Sequence, residues 1–438
     1  MTLTTPITVV RGRFLDIQKT VSQAQDIIDQ VRYIEDGVLI AKQGQIRWFG
    51  SWDDAQAHLP ANVEIQHYPE QLIIPGMIDT HIHFPQTEMV GAYGEQLLSW
   101  LNTYTFPTEI QFQDPSYAQK IAEFFIQELL KNGTTTALVF CTVHPESVDA
   151  LFEAAAQQQM RLIAGKVMMD RHAPEALCDT AESAYEDSKA LIGKWHGQGR
   201  ALYAITPRFA PTSTPEQLER AGQLKAEFPD VYVHTHLSEN KDEIAWVKEL
   251  FPDQKGYLDV YHHYGLTGNR SVFAHCVHLE DAEWQCMHET DSAIAFCPTS
   301  NLFLGSGLFP LKKTWQQQVK VGLGTDIGAG TSFSLLQTVN EAYKVQQLQG
   351  DKLSAFESLY HATLGGAKAL DLDNKLGNFN VGKEADFVVL NLKPTALQEL
   401  RQSRAKSLED SLFALFTMGD DRNIEATYIY GQKAYSQS

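Results

Sequence analysis

Between residues 72 and 323 the chain repeats one pattern eight times: a short apolar segment, then in most cases a longer stretch with apolar residues at helical spacing. The segments are residues 72–78, 134–140, 162–168, 202–206, 231–236, 272–275, 293–296 and 320–323. Residues 121–131 and 147–157 show the helical spacing clearly. Pro215 follows Thr214, a capping residue before a first-turn proline, and opens a predicted helix running to Phe228. Strands alternating with helices imply parallel βαβ units, and eight in succession predict an α/β chain folded as a (β/α)₈ barrel of the TIM type. A doubly wound sheet competes, but it needs a phosphate-binding G-x-G-x-x-G early in the chain, and Gly322, Gly324 and Gly328 come late with the wrong spacing.

The two ends read differently. Residues 38–41 run to a turn at Gln43-Gly44-Gln45 and on into residues 46–50, which is the pattern of a hairpin. Residues 385–390 and 426–430, with a turn at Gly431, repeat it near the C-terminus. The expectation is a small β-sandwich domain built from both termini. Residues 1–70 supply its first part, 71–375 form the metal-dependent barrel, and 376–438 return to the β domain.

Charge narrows the partners. With 35 Lys and Arg against 54 Asp and Glu the net charge is −19, which argues against a nucleic acid or an anionic membrane. No apolar run approaches the roughly 18 residues of a membrane span. The opening MTLTTPITVVRGRF has no basic segment followed by an apolar one, so no signal peptide is expected. The five cysteines are odd in number and widely spaced, with no C-x-x-C, which fits a reducing, cytoplasmic compartment and buried thiols acting as small apolar residues.

The candidate chemistry lies at the ends of the apolar segments. His81 and His83 close the first; residues i and i+2 of a strand face the same way, so two imidazoles can aim at one point. His234 and His236 repeat the arrangement in the fifth segment, with Glu239 and Asp242 on the loop beyond. His275 ends the sixth segment and Asp326 follows the eighth. Barrel enzymes keep their active sites at this rim. Three histidines and an aspartate suit one zinc or a similar divalent ion. Zinc deaminases of the cysteine type need H-x-E and P-C-x-x-C, and Cys297-Pro298 stands in the opposite order. A second metal would want a bridging group such as a modified Lys166, for which an ion pair is an equal alternative.

Pro75-Gly76-Met77-Ile78-Asp79-Thr80-His81-Ile82-His83 resembles the opening signature of the amidohydrolase superfamily, and residues 382–387 (GKEADF) resemble its C-terminal return. HIHFPQ, GTTTALVF, TPRFAP, HLSEN, CPTSNLFLGSGLF and GLGTDIGAG are similar to segments of the guanine deaminase family within it. The resemblance implies one Zn²⁺ per chain held by His81, His83, His236 and Asp326. It implies Glu239 as proton shuttle, with His275 and Asp326 assisting at the reacting water. Gln86, Arg208 and Phe209 would hold the purine. Guanine is then the small-molecule substrate in a purine-degrading homodimer. His234 would sit one layer deeper as packing. Trp100 is either a lid or a buried structural residue; Cys141, His144 and His278 receive no role. A chlorohydrolase or adenosine-type deaminase would keep the metal set and change the pocket, and a non-enzymatic scaffold would have lost part of the set.

Overall fold

The computed structural model describes residues 7–93 and 97–437. Residues 1–6 and 438, at the outer ends of the expected terminal segments, and Gln96 beside the lid candidate lie outside the described residues.

Eight parallel strands pair in chain order: Met77–His83, Thr134–Phe140, Arg161–Gly165, Ala201–Pro207, Tyr232–Leu237, Ser271–His275, Ala293–Phe296 and Lys320–Leu323. Their sequences are nearly unbroken apolar runs because each strand is covered on both faces. Ile78, Leu138, Ile163, Tyr232 and Val272 fill the interior. The first and last strands are joined by side-chain and loop bonds: Thr80 Oγ1 donates to the Leu323 carbonyl at 2.9 Å, and Asp326 N donates to the His81 carbonyl at 2.9 Å.

The surrounding helices start where capping chemistry dictates. Thr214 accepts from Gln217 N at 3.2 Å and opens helix Pro215–Glu227; Asp114 accepts from Ser116 N at 2.9 Å and opens helix Pro115–Lys131. The latter buries Ile121, Phe125, Ile126 and Leu129 on one face.

Both termini build one seven-stranded sheet, in the spatial order Gln432–Ser436, Ile424–Ile429, Phe387–Leu390, Ile65–Pro75, Ile7–Ile17, Val31–Lys42 and Gln45–Ser51. The sheet curls so that Leu39 and Ile46 share a core with Phe387 and Tyr428, which gives it a sandwich-like interior. The expected hairpin turns through Gln43 and Gly44, both at positive φ (55° and 74°), and a Cβ on Gly44 would lie 2.2 Å from the Tyr430 ring.

One expectation needs correction. The apolar run 72–78 is not a single barrel strand, and strand Ile65–Pro75 crosses the expected boundary between residues 70 and 71. Residues 72–75 pair with Phe387–Leu390 in the terminal sheet, and the barrel begins at Met77. Apolar content is the same on both sides of the crossing, so composition hides it. Gly76 is the crossing: its N–H donates to the Asp386 carbonyl at 2.9 Å, and a Cβ there would lie 2.0 Å from Thr135 Oγ1.

Glu384 and Asp386 of GKEADF fasten the sheet to the barrel. Glu384 accepts from Arg161 Nε at 2.9 Å and Arg200 Nη2 at 2.6 Å, and Asp386 also pairs with Arg200. Burial opposes ionisation of Glu384, but the Arg161 hydrogen bonds and the two guanidinium charges outweigh it and hold the carboxyl below 4.5. A depressed folded-state value means that this contribution is present above about pH 4.5 and is lost as pH falls through the depressed value. Glu384→Gln is expected to cost about 3 kcal/mol at pH 7, by leaving Arg161 underpaired, and to flatten the fall in stability below pH 4.5. Chemical denaturation at pH 7 and pH 4 checks both effects.

Candidate active site

The two H-x-H pairs end the first and fifth barrel strands, which face each other across the barrel, and strand periodicity turns each pair toward one side. His83 Nε2 lies 3.2 Å from His236 Nε2. Asp326 Oδ1 lies 3.1 Å from His81 Nε2 and 3.4 Å from His83 Nε2. His275 Nε2 is 3.8 Å from Asp326 Oδ2 and 3.4 Å from Glu239 Oε2. His81, His83, Glu239, His275 and Asp326 are buried, and His236 is partly buried. Ser238, His275, Cys276 and Asp326 sit at positive φ, between 49° and 72°, so strained non-glycine backbone is concentrated at this rim.

The donor set fits a metal ion. His81 Nε2 is buried without a hydrogen-bond partner. His236 Nδ1–H donates to the Arg208 carbonyl at 2.7 Å, so His236 Nε2 carries a lone pair toward His83. The 3.2 Å separation of His83 Nε2 and His236 Nε2 is close to the edge of a zinc tetrahedron, about 3.3 Å for bonds of about 2.0–2.1 Å. Burial holds His81, His83 and His236 well below 6.5, so all three are neutral, the form that ligates. The groups His81–His83–His236 and His81–His275–Asp326 each bring their ligand atoms within 4.8 Å of one another.

Neighbours orient the set. His234 lies one layer down, as expected, but it does more than pack: its Nε2 is 2.8 Å from His81 Nδ1, which leaves His81 Nε2 facing the cluster. His275 Nδ1–H donates to Asn301 Oδ1 at 2.9 Å. Asp79, raised to about 7 by burial, accepts from the His81 and Thr325 N–H groups at 3.1 Å each.

Glu239 is pushed up to about 8, by burial first and then by the Asp326 charge. Its Oε1 accepts from Ser306 Oγ at 3.0 Å, and His278 in turn bonds the Ser306 carbonyl at 2.8 Å. Glu243, which periodicity did not single out, accepts from the N–H groups of Glu239 and Asn240 at 3.0 and 3.1 Å and caps helix Lys241–Leu250. The sequence reading picked Asp242 instead; it lies in the first turn of that helix and does not line the cavity.

A cavity opens on this cluster. Gln86, Arg208 and Phe209 line it, so all the expected site residues come together. Trp100 is 2% exposed, as the buried reading expects, and forms part of the cavity wall with Leu97 and Leu101. Glu109 is the residue the sequence concealed: its buried carboxylate lies between Gln86 Nε2 at 3.1 Å and Arg208 Nη1 at 2.7 Å. A lone acid in an irregular segment carries no sequence signal. Lys166 is committed to Asp179 at 2.5 Å and does not line the cavity.

Residues 72–434 match the amidohydrolase family. The guanine deaminase of Escherichia coli (strain K12) is 62% identical over 429 residues, covering 98% of each chain. The solved E. coli guanine deaminase superposes with a TM-score of 0.96 at 60% identity, covering 99% of this chain and 100% of that one. A guanine deaminase from C. acetobutylicum, solved with guanine in its active site, gives 0.88 at 31% identity, covering 98% and 100%. The chain belongs to the amidohydrolase family, with the barrel and the rim of histidines and carboxylates that can hold a metal ion. Within that family it falls among the guanine deaminases.

His234→Leu keeps the volume beneath His81 and removes the bond to its Nδ1. Metal affinity is expected to fall about 10–100-fold. Chelator competition measures it; unchanged affinity would reduce His234 to packing.

Proposed function

We propose that the chain hydrolyses guanine to xanthine and ammonia, with one zinc ion per chain on His81, His83, His236 and Asp326. One observation carries the reading: on a chain 62% identical to a guanine deaminase, the cavity that reaches the histidine cluster and Glu239 also exposes the donors of Arg208. A zinc ion bound there supplies a Lewis acid that lowers the pKa of water toward about 7.

The chain's own groups handle the protons. Glu239 takes one from the attacking water and delivers it to guanine N3 as the oxygen adds to C2. A carboxyl raised to about 8 is suited to both accepting and returning a proton near neutrality. His275, 3.4 Å from Glu239, stabilises the oxygen that adds, and Asp326 accepts a hydrogen bond from the water. The hydroxyl now on C2 gives up its remaining proton, which Glu239 passes to the amino nitrogen, so the C2–N bond breaks, ammonia leaves and a C2 carbonyl remains. Arg208 faces the purine carbonyl, Gln86 the neighbouring edge, and Phe209 walls the ring.

Among the described residues no helix is long and apolar enough to cross a membrane. The family resemblance and the acidic surface support a cytoplasmic homodimer with no nucleic-acid or membrane partner; light scattering reads the dimer.

Glu239→Gln should retain zinc and lose turnover on the order of 10²-fold or more. Elemental analysis with a xanthine assay checks this, and wild-type protein should carry about one zinc per chain. Guanine should be turned over while adenine, adenosine and cytosine stay inert. Comparable adenine turnover would shift the reading to the adenosine-type alternative.

A further inference from the structure

Glu109 sits in the short helix Phe106–Glu109, in the excursion between the first barrel strand and helix Pro115–Lys131. It is 1% exposed. Its Oε1 accepts from Gln86 Nε2 at 3.1 Å and from Arg208 Nη1 at 3.0 Å, and its Oε2 accepts from the same Nη1 at 2.7 Å. The Phe106 ring lies 5.5 Å from the Arg208 guanidinium carbon, so one short helix holds that group by charge and by face.

We propose that Glu109 is a positioning residue that sets the choice of purine, by fixing the hydrogen-bond polarity that Gln86 and Arg208 present to the cavity. The inference rests on the guanine reading above. A glutamine amide has a donor end and an acceptor end that can exchange places at little steric cost. A carboxylate only accepts, so Glu109 admits the Nε2 end alone and Oε1 must turn elsewhere as an acceptor. The same carboxylate takes up Nη1 of Arg208. Nε and Nη2 make no bond to a protein acceptor among the described residues and remain as donors. The cavity therefore offers donors beside an acceptor. A ring lactam, O=C–N–H, is the complement. Adenine shows the reverse at the same edge, an amino donor beside an unprotonated ring nitrogen.

Hypoxanthine and adenine differ at this edge, and both lack the 2-amino group. The test compares their inhibition constants in the zinc-loaded full chain, after guanine turnover has been measured on the wild type. Wild type should favour hypoxanthine. In Glu109→Gln the new amide can donate or accept, so Gln86 is free to reverse, and the hypoxanthine-over-adenine ratio should fall about tenfold or more. Glu109→Asp keeps the counter-charge for Arg208 but draws the carboxylate back from Gln86. The ratio should fall there by a smaller factor, and this variant carries the test if Glu109→Gln does not accumulate. Zinc content and Tm are read alongside. A lower Tm with an unchanged ratio in a folded variant would make Glu109 a structural counter-ion only and overturn the proposal, as would a wild type that binds both purines equally. Failure of wild type to turn over guanine would instead sink the functional reading, and direct calorimetric binding of hypoxanthine and adenine would then report on the edge.

Discussion

A barrel of parallel strands has to be closed between its first and last members, and here the closing bonds are made by the same few residues that carry the chemistry. Asp79 accepts from the Thr325 N–H and hydroxyl, and Asp326 N donates to the His81 carbonyl. Those bonds bring the Asp326 carboxylate within 3.1 Å of His81 Nε2. Undo them, and the rim holds histidines on one side of a gap and a carboxylate on the other. The site's geometry is thus a consequence of how the sheet meets itself.

Burial then divides the cavity into two electrostatic regions. Around the histidines, Asp79, Asp326, Glu239 and Glu243 are all pushed upward by desolvation, and a cation is the natural compensation for so many buried acids. At the other wall, Arg208 and Glu109 neutralise each other at 3% and 1% exposure. That wall contributes directional hydrogen bonding with little net charge. An ion is therefore drawn to one region, and a flat polar heterocycle fits the other.

How much of this could be read from residues alone follows from which features repeat. The eight apolar runs and the capped helices were legible because each obeys a fixed period. His81, His83, His236, His275 and Asp326 were legible as a cluster because they stand at or just beyond strand ends, and the family resemblance singled out His236 over His234. The crossing at Gly76 was hidden because apolar residues continue through it. Glu109 was hidden because its partner, Arg208, lies 99 residues away in the chain. Glu243 bonds N–H groups only four and three residues back, and its cue was the local capping spacing Asn240-x-x-Glu243. His234 was half-legible. Its deeper place was what the family resemblance implied, but its bond to His81 needed the curvature of the barrel.

The closure also imposes an order in time. Asp79 and Thr325 are 246 residues apart in sequence. At a synthesis rate of about 5–20 residues per second, a growing chain waits about 12–50 s between making the first strand and making the turn that completes it. Throughout that interval His81 and His83 are present without their carboxylate, and Asp79 has no Thr325 to bond. The nascent chain thus has only part of the group that can hold a metal ion, and that group is complete only once the eighth strand has emerged and docked, at the end of folding rather than at its beginning.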